Sequence, residues 1–273
     1  MPNDNEVKPA GMMNFLALSN DSTVKTFIMA TLVCLVCAVF VSVSAVMLKP
    51  LQQLNKELDK KKNILQVAGL YQEGDDIEAA FSKIDIKLVD LETGEYSIEL
   101  NAETYDERRA AKDPALNVQI DKASDLAGIR MRPKLMPVYQ VKEGDVVKQI
   151  ILPVNGYGLW STLYGFLAIE SDGQTIVGLS FYEHAETPGL GGEVDNPKWK
   201  GLWSGKKIYE ANGEVGIDVI KGSVIPGSAN EAFEVDGLAG ATLTSRGVGN
   251  MLKYWMGVEG YEKYLKKIQT NGV

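Results

Sequence analysis

The longest apolar segment of the chain lies near its start. Residues 26–48 carry no charged side chain and show no polar face. At about 1.5 Å of rise per residue, a helix of this length exceeds the ~30 Å hydrocarbon core of a bilayer. The pattern predicts a transmembrane helix. A cleaved signal peptide is the alternative, because residues 42–45 resemble a cleavage site, but the long run and its polar leader favour a retained anchor.

A second helical pattern follows the apolar run. In residues 51–70 the leucines recur near helical spacing and three consecutive lysines form a solvated stretch. Gly69 and Gly74 mark the expected end of this stalk. The rest of the chain has no internal repeat and no low-complexity linker, which indicates one domain. The predicted segments are an N-terminal tail (residues 1–25), a transmembrane helix (26–48), a helical stalk (49–74) and a domain (75–273).

Strand patterns dominate the first part of this domain. Two pairs of strand-like segments each flank a short polar turn. The pairs are residues 138–141 with 146–154, and residues 163–169 with 175–182. Asp172-Gly173 in the second turn favours the positive φ angles of tight hairpins.

Helical periodicity returns after Ser245. Apolar side chains then recur at i, i+3, i+4, i+7 and i+8, which predicts an amphipathic helix, and a short helix is expected over residues 260–269. Together these elements predict an α+β class, with a strongly bent antiparallel or mixed sheet packed by helices.

Composition narrows the chemistry. The net charge of −8 argues against binding of nucleic acid. His184 is the only histidine, and the two cysteines, Cys34 and Cys37, both fall in the apolar run, where thiols behave as small apolar groups. The chain therefore has too few histidines and cysteines for a closed zinc site, and no glycine pattern around a nucleophile supports a serine hydrolase triad. We predict no catalytic residue and no metal ligand. Chemistry in this chain is expected to come from a cofactor.

The segment Asp236-Gly-Leu-Ala-Gly-Ala-Thr-Leu-Thr-Ser-Arg-Gly247 carries the sharpest signal. Its glycines allow the backbone to approach a ligand closely, and it runs into the predicted helix, whose N-terminus attracts anions. Thr242, Thr244 and Ser245 put hydroxyl groups at that end. A phosphate site and a plain helix cap, formed by Thr244 or Ser245, are equally compatible with this pattern.

The same segment resembles the flavinylation motif of the FMN-binding domain family. In that family the Thr of Gly-Ala-Thr is joined through its hydroxyl to the phosphate of FMN by a flavin transferase that uses FAD. Gly240-Ala241-Thr242 matches the motif, so the resemblance implies covalent FMN at Thr242. Ala239 departs from it, because the family more often has Ser or Thr there.

The resemblance extends over almost the whole chain. The segments LDKKKNILQVAGL, ILPVNGYGLW and ETPGLGGEVDNP, in this order, resemble the C subunits of the sodium-translocating NADH:quinone reductases. This implies an electron-relay subunit of a respiratory complex in the bacterial inner membrane that couples oxidation of NADH by ubiquinone to sodium export. It also implies an iron–sulfur electron donor, a flavin-carrying acceptor subunit and an FMN domain in the periplasm. By the positive-inside rule, the lysines after the apolar run instead favour a cytoplasmic location for the domain that follows it.

Other functions remain open. The G subunit of the related ferredoxin:NAD reductase shares ETPGLG and the Gly-Ala-Thr region. A membrane-tethered assembly module without a redox role and a free-standing flavin reductase are further alternatives. No dinucleotide GxGxxG fingerprint is present, so we do not expect the chain to oxidise NADH alone.

With the resemblance in view, the ETPGLG loop becomes a second wall of a flavin site, with Leu190 over a ring face and Thr187 near a ring heteroatom. The alternative for this loop is a plain structural turn. Trp160 is either a contact of the cofactor or a core residue. Lys221 either neutralises the phosphate or is a solvated side chain. The predicted cofactor-binding residues are Asp236, Gly240, Ala241, Thr242, Thr244, Ser245, Thr187, Gly189, Leu190, Gly191, Trp160 and Lys221.

Overall fold

The computed structural model describes residues 22–271, so most of the predicted N-terminal tail lies outside it. The chain divides into two compact units, Met1–Glu57 and Leu58–Val273. The helices, numbered in chain order, are α1 (Thr23–Val67), α2 (Ile77–Phe81), α3 (Glu107–Ala110), α4 (Pro197–Gly201), α5 (Thr242–Met256) and α6 (Glu262–Asn271), with a 3₁₀ helix at Gly191–Asp195.

Helix α1 contains both the apolar run and most of the predicted stalk. Among the described residues it is the one helix long and apolar enough to cross a membrane, and the side chains of residues 26–48 are all exposed. The helix ends at Val67, where Gly69 adopts a φ of +70° and the N–H of Leu70 bonds the carbonyl of Leu65 at 2.8 Å. This is a glycine-terminated helix end, at the first of the two glycines that mark the predicted end of the stalk.

The second unit contains a central antiparallel sheet. The strands are β1 (Ile84–Asp90), β2 (Tyr96–Ser97), β3 (Asn117–Gln119), β4 (Met131–Pro133), β5 (Leu135–Glu143), β6 (Val146–Tyr157), β7 (Thr162–Glu170), β8 (Ile176–Glu183), β9 (Asp218–Val219) and β10 (Glu234–Val235). Six of them form the central sheet, in the order β2-β1-β5-β6-β7-β8. The short pairs β3–β4 and β9–β10 lie outside it.

Both predicted hairpins are confirmed. Strands β5 and β6 pair through a turn at Gly144, and β7 and β8 through one at Gly173, each glycine having a positive φ. The predicted helices also form, although α5 begins at Thr242, three residues earlier than expected. The α+β class is confirmed.

The sheet separates two cores, because successive side chains of a strand point to opposite faces. In β6, Ile150 and Leu152 pack in the larger core with α5 and α6. Ile151 packs in the smaller core with Ile64 and Leu65 from the end of α1. The last turn of α1 is therefore part of the folded domain.

Deleting residues 1–48 is expected to release a soluble, folded chain. The apolar side chains of residues 26–48 are exposed and belong to neither core, whereas Ile64 and Leu65 are retained. Expressed without partner subunits, residues 49–273 should remain in the supernatant after ultracentrifugation. A matched deletion of residues 1–25, which keeps the apolar run, should still sediment with membranes. Sedimentation of the shorter chain with membranes would contradict the anchor.

Candidate functional site

Three distant segments of the chain meet at the carboxylate of Glu186. Its Oε1 accepts hydrogen bonds from the N–H groups of Leu159, at 2.9 Å, and Trp160, at 3.0 Å. Its Oε2 accepts one from the hydroxyl of Thr244, at 2.6 Å. We call the group formed by residues 158–160, residues 186–191 and Thr244 the Glu186 cluster. It joins the loop after β6, the ETPGLG loop and the first turn of α5.

The Glu186 side chain is buried, with the residue 5% exposed. Burial raises the pKa of its carboxyl group, but the hydrogen bonds from the Thr244 hydroxyl and from the N–H groups of Trp160 and Leu159 outweigh burial. The pKa therefore lies below its ordinary value, and Glu186 is ionised at neutral pH. Its hydrogen-bond donors within the described residues are all uncharged, so the cluster holds a net negative charge.

Glycines allow the three segments to approach this carboxylate. A Cβ atom at Gly191 would lie 2.6 Å from both Glu186 Oε2 and Thr244 Oγ1, and one at Gly158 would lie 2.6 Å from Glu186 Oε1. Where α5 crosses the end of β6, a Cβ at Gly247 would lie 2.6 Å from the carbonyl oxygen of Tyr157. Side chains at these positions would separate the segments.

The loop before α5 is fixed by its own polar groups. The carboxylate of Asp236 accepts a hydrogen bond from the N–H of Val224 at 2.8 Å, and Ser245 Oγ accepts one from the N–H of Leu238 at 2.9 Å. Asp236 and Ser245 therefore have structural partners within the protein. Their predicted contact with a cofactor stays a prediction.

The N-terminus of α5 is open. Its N-cap residue is Ala241, and no side chain of the described residues caps this end, so the alternative in which Thr244 or Ser245 caps the helix is wrong. The first amide groups of a helix have no acceptor within it and favour an anion. Thr242, the first helical residue, is exposed, and Gly240 before it has a φ of +73°. These features fit a phosphate group bound at Thr242.

Each of the three segments that meet near this helix end carries an exposed apolar side chain. A Cβ at Gly240 would lie 3.1 Å from Leu190 Cδ2, so Leu190 lies directly against the Gly-Ala-Thr segment. Leu190 is 45% exposed, and Leu243 and Trp160 are exposed as well. Trp160 is 66% exposed, so its core alternative is wrong. An apolar wall beside an anion site fits a ligand with an aromatic ring and a phosphate.

The remaining predicted residues take different positions. The carbonyl of Thr187 accepts the N–H groups of Leu190 and Gly192, which closes the ETPGLG turn, and Gly189 has a φ of +76°. Lys221 is exposed, and the carbonyl of the next residue accepts the N–H of Gly237 in the motif loop.

His184 forms hydrogen bonds that hold the start of the ETPGLG loop. Its Nδ1 accepts the N–H of Glu186 at 3.2 Å, and its Nε2 lies 2.8 Å from Asp195 Oδ2. The hydrogen bond with Asp195 raises the pKa of His184. Among the described residues, no group of three or more His, Cys, Asp or Glu side chains is arranged to hold a metal ion.

Glu186 is absent from the site residues that the sequence predicts. Its partners lie 26, 27 and 58 residues away, and no local pattern reports such contacts. The available signal was an acidic residue at the start of a loop otherwise poor in side chains, with Gly158 and Gly191 in separate glycine-rich segments.

Comparison with known proteins assigns the class first: residues 158–257 match the family model described as FMN-binding domain, and this range contains the whole Glu186 cluster and all of α5. The C subunit of the Na⁺-translocating NADH-quinone reductase of Pseudomonas aeruginosa is 49% identical over 92% of this chain and 98% of the relative. Its counterpart from Haemophilus ducreyi is 45% identical over 92% of this chain and 96% of the relative.

A solved structure agrees with these matches. The crystal structure of Shewanella oneidensis NqrC has a TM-score of 0.73 and 33% identity, covering 80% of this chain and all of that one. The chain therefore belongs to the NqrC family, the C subunits of the Na⁺-translocating NADH-quinone reductases.

Replacing Gly191 by alanine is expected to break the Thr244–Glu186 hydrogen bond. The added methyl group would clash with both partners, and overpacking of this kind costs about 1–3 kcal/mol of unfolding free energy. Gly201→Ala is the control, because nothing lies within 4 Å of its Cβ position. Thermal unfolding of the full chain in detergent measures both. Equal Tm values for the two variants would contradict the packing described here.

Proposed function

We propose that this chain is the electron-relay subunit of a respiratory sodium-pumping NADH:quinone reductase and carries FMN as a phosphoester of Thr242. The observation that carries the proposal is the exposed Thr242 hydroxyl at the uncapped N-terminus of α5, with Leu190 beside it. The match to the FMN-binding domain and the family membership support it. In the attachment reaction, the Thr242 oxygen bonds the flavin-side phosphate of FAD and AMP leaves, catalysed by a flavin transferase.

FMN supplies reversible electron transfer, and this chain's residues hold it and shape its surroundings. The N-terminal amides of α5 stabilise the phosphate, while Leu190 and Trp160 offer apolar surface to the ring. Thr187 and Gly189 form the turn that presents Leu190. Lys221, near the motif loop, adds positive charge on the phosphate side.

The assembly belongs to the same proposal. The electron donor is an iron–sulfur centre and the acceptor a flavin-carrying subunit, both in the same inner-membrane complex. Residues 26–48 anchor the chain, residues 49–74 form the stalk, and residues 75–273 form the FMN domain on the periplasmic side. Family membership outweighs the lysine count here, because lysines in a stalk held by partner subunits are weak evidence for topology. The isolated chain does not oxidise NADH.

Thr242→Ala is expected to abolish covalent flavin, because alanine has no oxygen for the phosphoester. The full chain is co-expressed with a flavin transferase and resolved on a denaturing gel, where attached flavin fluoresces. Thr187→Ala, which removes another exposed hydroxyl of the site, should keep the signal. Fluorescence retained in Thr242→Ala would refute this attachment site, and a wild-type chain without flavin would favour the assembly module.

Leu190→Asn is expected to leave the covalent bond intact but to raise the flavin midpoint potential. A polar side chain admits water and stabilises the charged reduced form, which the leucine disfavours. Leu202→Asn, a similarly exposed leucine outside the Glu186 cluster, is the control. Spectroelectrochemical titration measures the potential, and NADH-driven quinone reduction by the assembled complex measures electron flow. Wild-type values of both for Leu190→Asn would show that ETPGLG is a turn away from the ring.

A further inference from the structure

We propose that Glu186 is the positioning residue of the flavin site, fixing both walls and the attachment helix, and that its negative charge holds the reduction potential down. The positioning role stands on the geometry of this chain alone. The effect on the potential rests on the proposed function.

The geometry separates Glu186 from an ordinary buried acid. Two of its donors are consecutive backbone N–H groups, Leu159 and Trp160, in one wall of the site. The third is the hydroxyl of Thr244, two residues from the Thr242 attachment point. The residue itself begins the loop that ends at Leu190 and Gly191. One side chain therefore sets the distance between the Trp160 wall, the Leu190 wall and the start of α5.

A carboxylate suits this position because it only accepts hydrogen bonds and has two oxygens to share among three donors. Glutamine has the same shape but one acceptor oxygen. Its Oε1 can keep the two N–H groups, and its Nε2 can donate to the Thr244 hydroxyl with the direction of that bond reversed. Glu186→Gln therefore preserves the geometry and removes the charge. Glu186→Ala removes both.

The charge is placed to act on a redox group. Its three partners are two amides and one hydroxyl, so they stabilise the carboxylate without neutralising it. Electrostatic interactions are stronger at buried sites than in water. A fixed negative charge disfavours addition of electrons to a neighbouring ring, and removing it should raise the midpoint potential.

The first experiment needs no flavin. The full chain is produced in detergent without the transferase, and hydrogen–deuterium exchange is followed in peptides covering residues 157–162 and 242–247. In Glu186→Ala both peptides should exchange faster, on the order of tenfold. In the first peptide the amides of Leu159 and Trp160 lose their acceptor. In the second, the first turn of α5 loses the Thr244 side-chain hydrogen bond that fixes it. Glu186→Gln should restore wild-type protection. Glu183→Ala is the control, since that exposed acid pairs with Arg108 outside the cluster. Wild-type exchange in Glu186→Ala would overturn the positioning role.

The second experiment uses the flavinylated chain. Glu186→Gln should carry covalent flavin in wild-type amount and show a higher midpoint potential, whereas Glu183→Gln should match wild type in both. An unchanged potential in Glu186→Gln would overturn the electrostatic role. Absence of covalent flavin from the wild-type chain would overturn the proposed function and, with it, the electrostatic role. The exchange measurement would still decide the positioning role.

Discussion

The carboxylate of Glu186 determines how the site is assembled, because it is ionised, buried and satisfied only when three separate segments meet. Leaving a buried charge without hydrogen bonds is costly, so an arrangement that loses any of its three donors is disfavoured. The donors come from residues 26, 27 and 58 positions away, and the bond with Thr244 is 2.6 Å long. The close approach in turn requires glycine at 158 and 191. One glycine in each of these loops is thus required by the same ionic group.

The sheet supplies the scaffold for this meeting. Strand β7 runs antiparallel to β6 and β8, so the end of β6, the start of β7 and the end of β8 lie at one end of the sheet. The Trp160 loop connects the first two, and the ETPGLG loop leaves the third. Helix α5 packs on the larger core and reaches the same end, where Gly247 contacts the carbonyl of Tyr157. Loops placed by a rigid scaffold are the usual location of binding sites.

What the sequence could predict follows the range of the forces involved. The apolar run, both hairpins and α5 arise from neighbouring residues, and their patterns are visible directly. The sequence could not predict whether Trp160 is buried or exposed, because a large aromatic side chain is more often buried. Only the fold shows that its loop lies outside both cores. The N-cap alternative failed for a similar reason. The Thr244 hydroxyl bonds Glu186, a contact across 58 residues that no local pattern contains.

Helical geometry explains why the two threonines of the motif differ. Residues two apart on an α-helix point about 200° from each other, since each residue turns the helix by about 100°. Thr244 is fully buried against Glu186, so Thr242 must face outward, and it is exposed. One hydroxyl is therefore used to fix the helix and the other is left free for a partner from solvent. A bond to Thr242 adds a group to the surface without breaking any contact of the core. The proposed attachment point is therefore held in place through the hydrogen bond of Thr244, while Thr242 stays exposed to solvent.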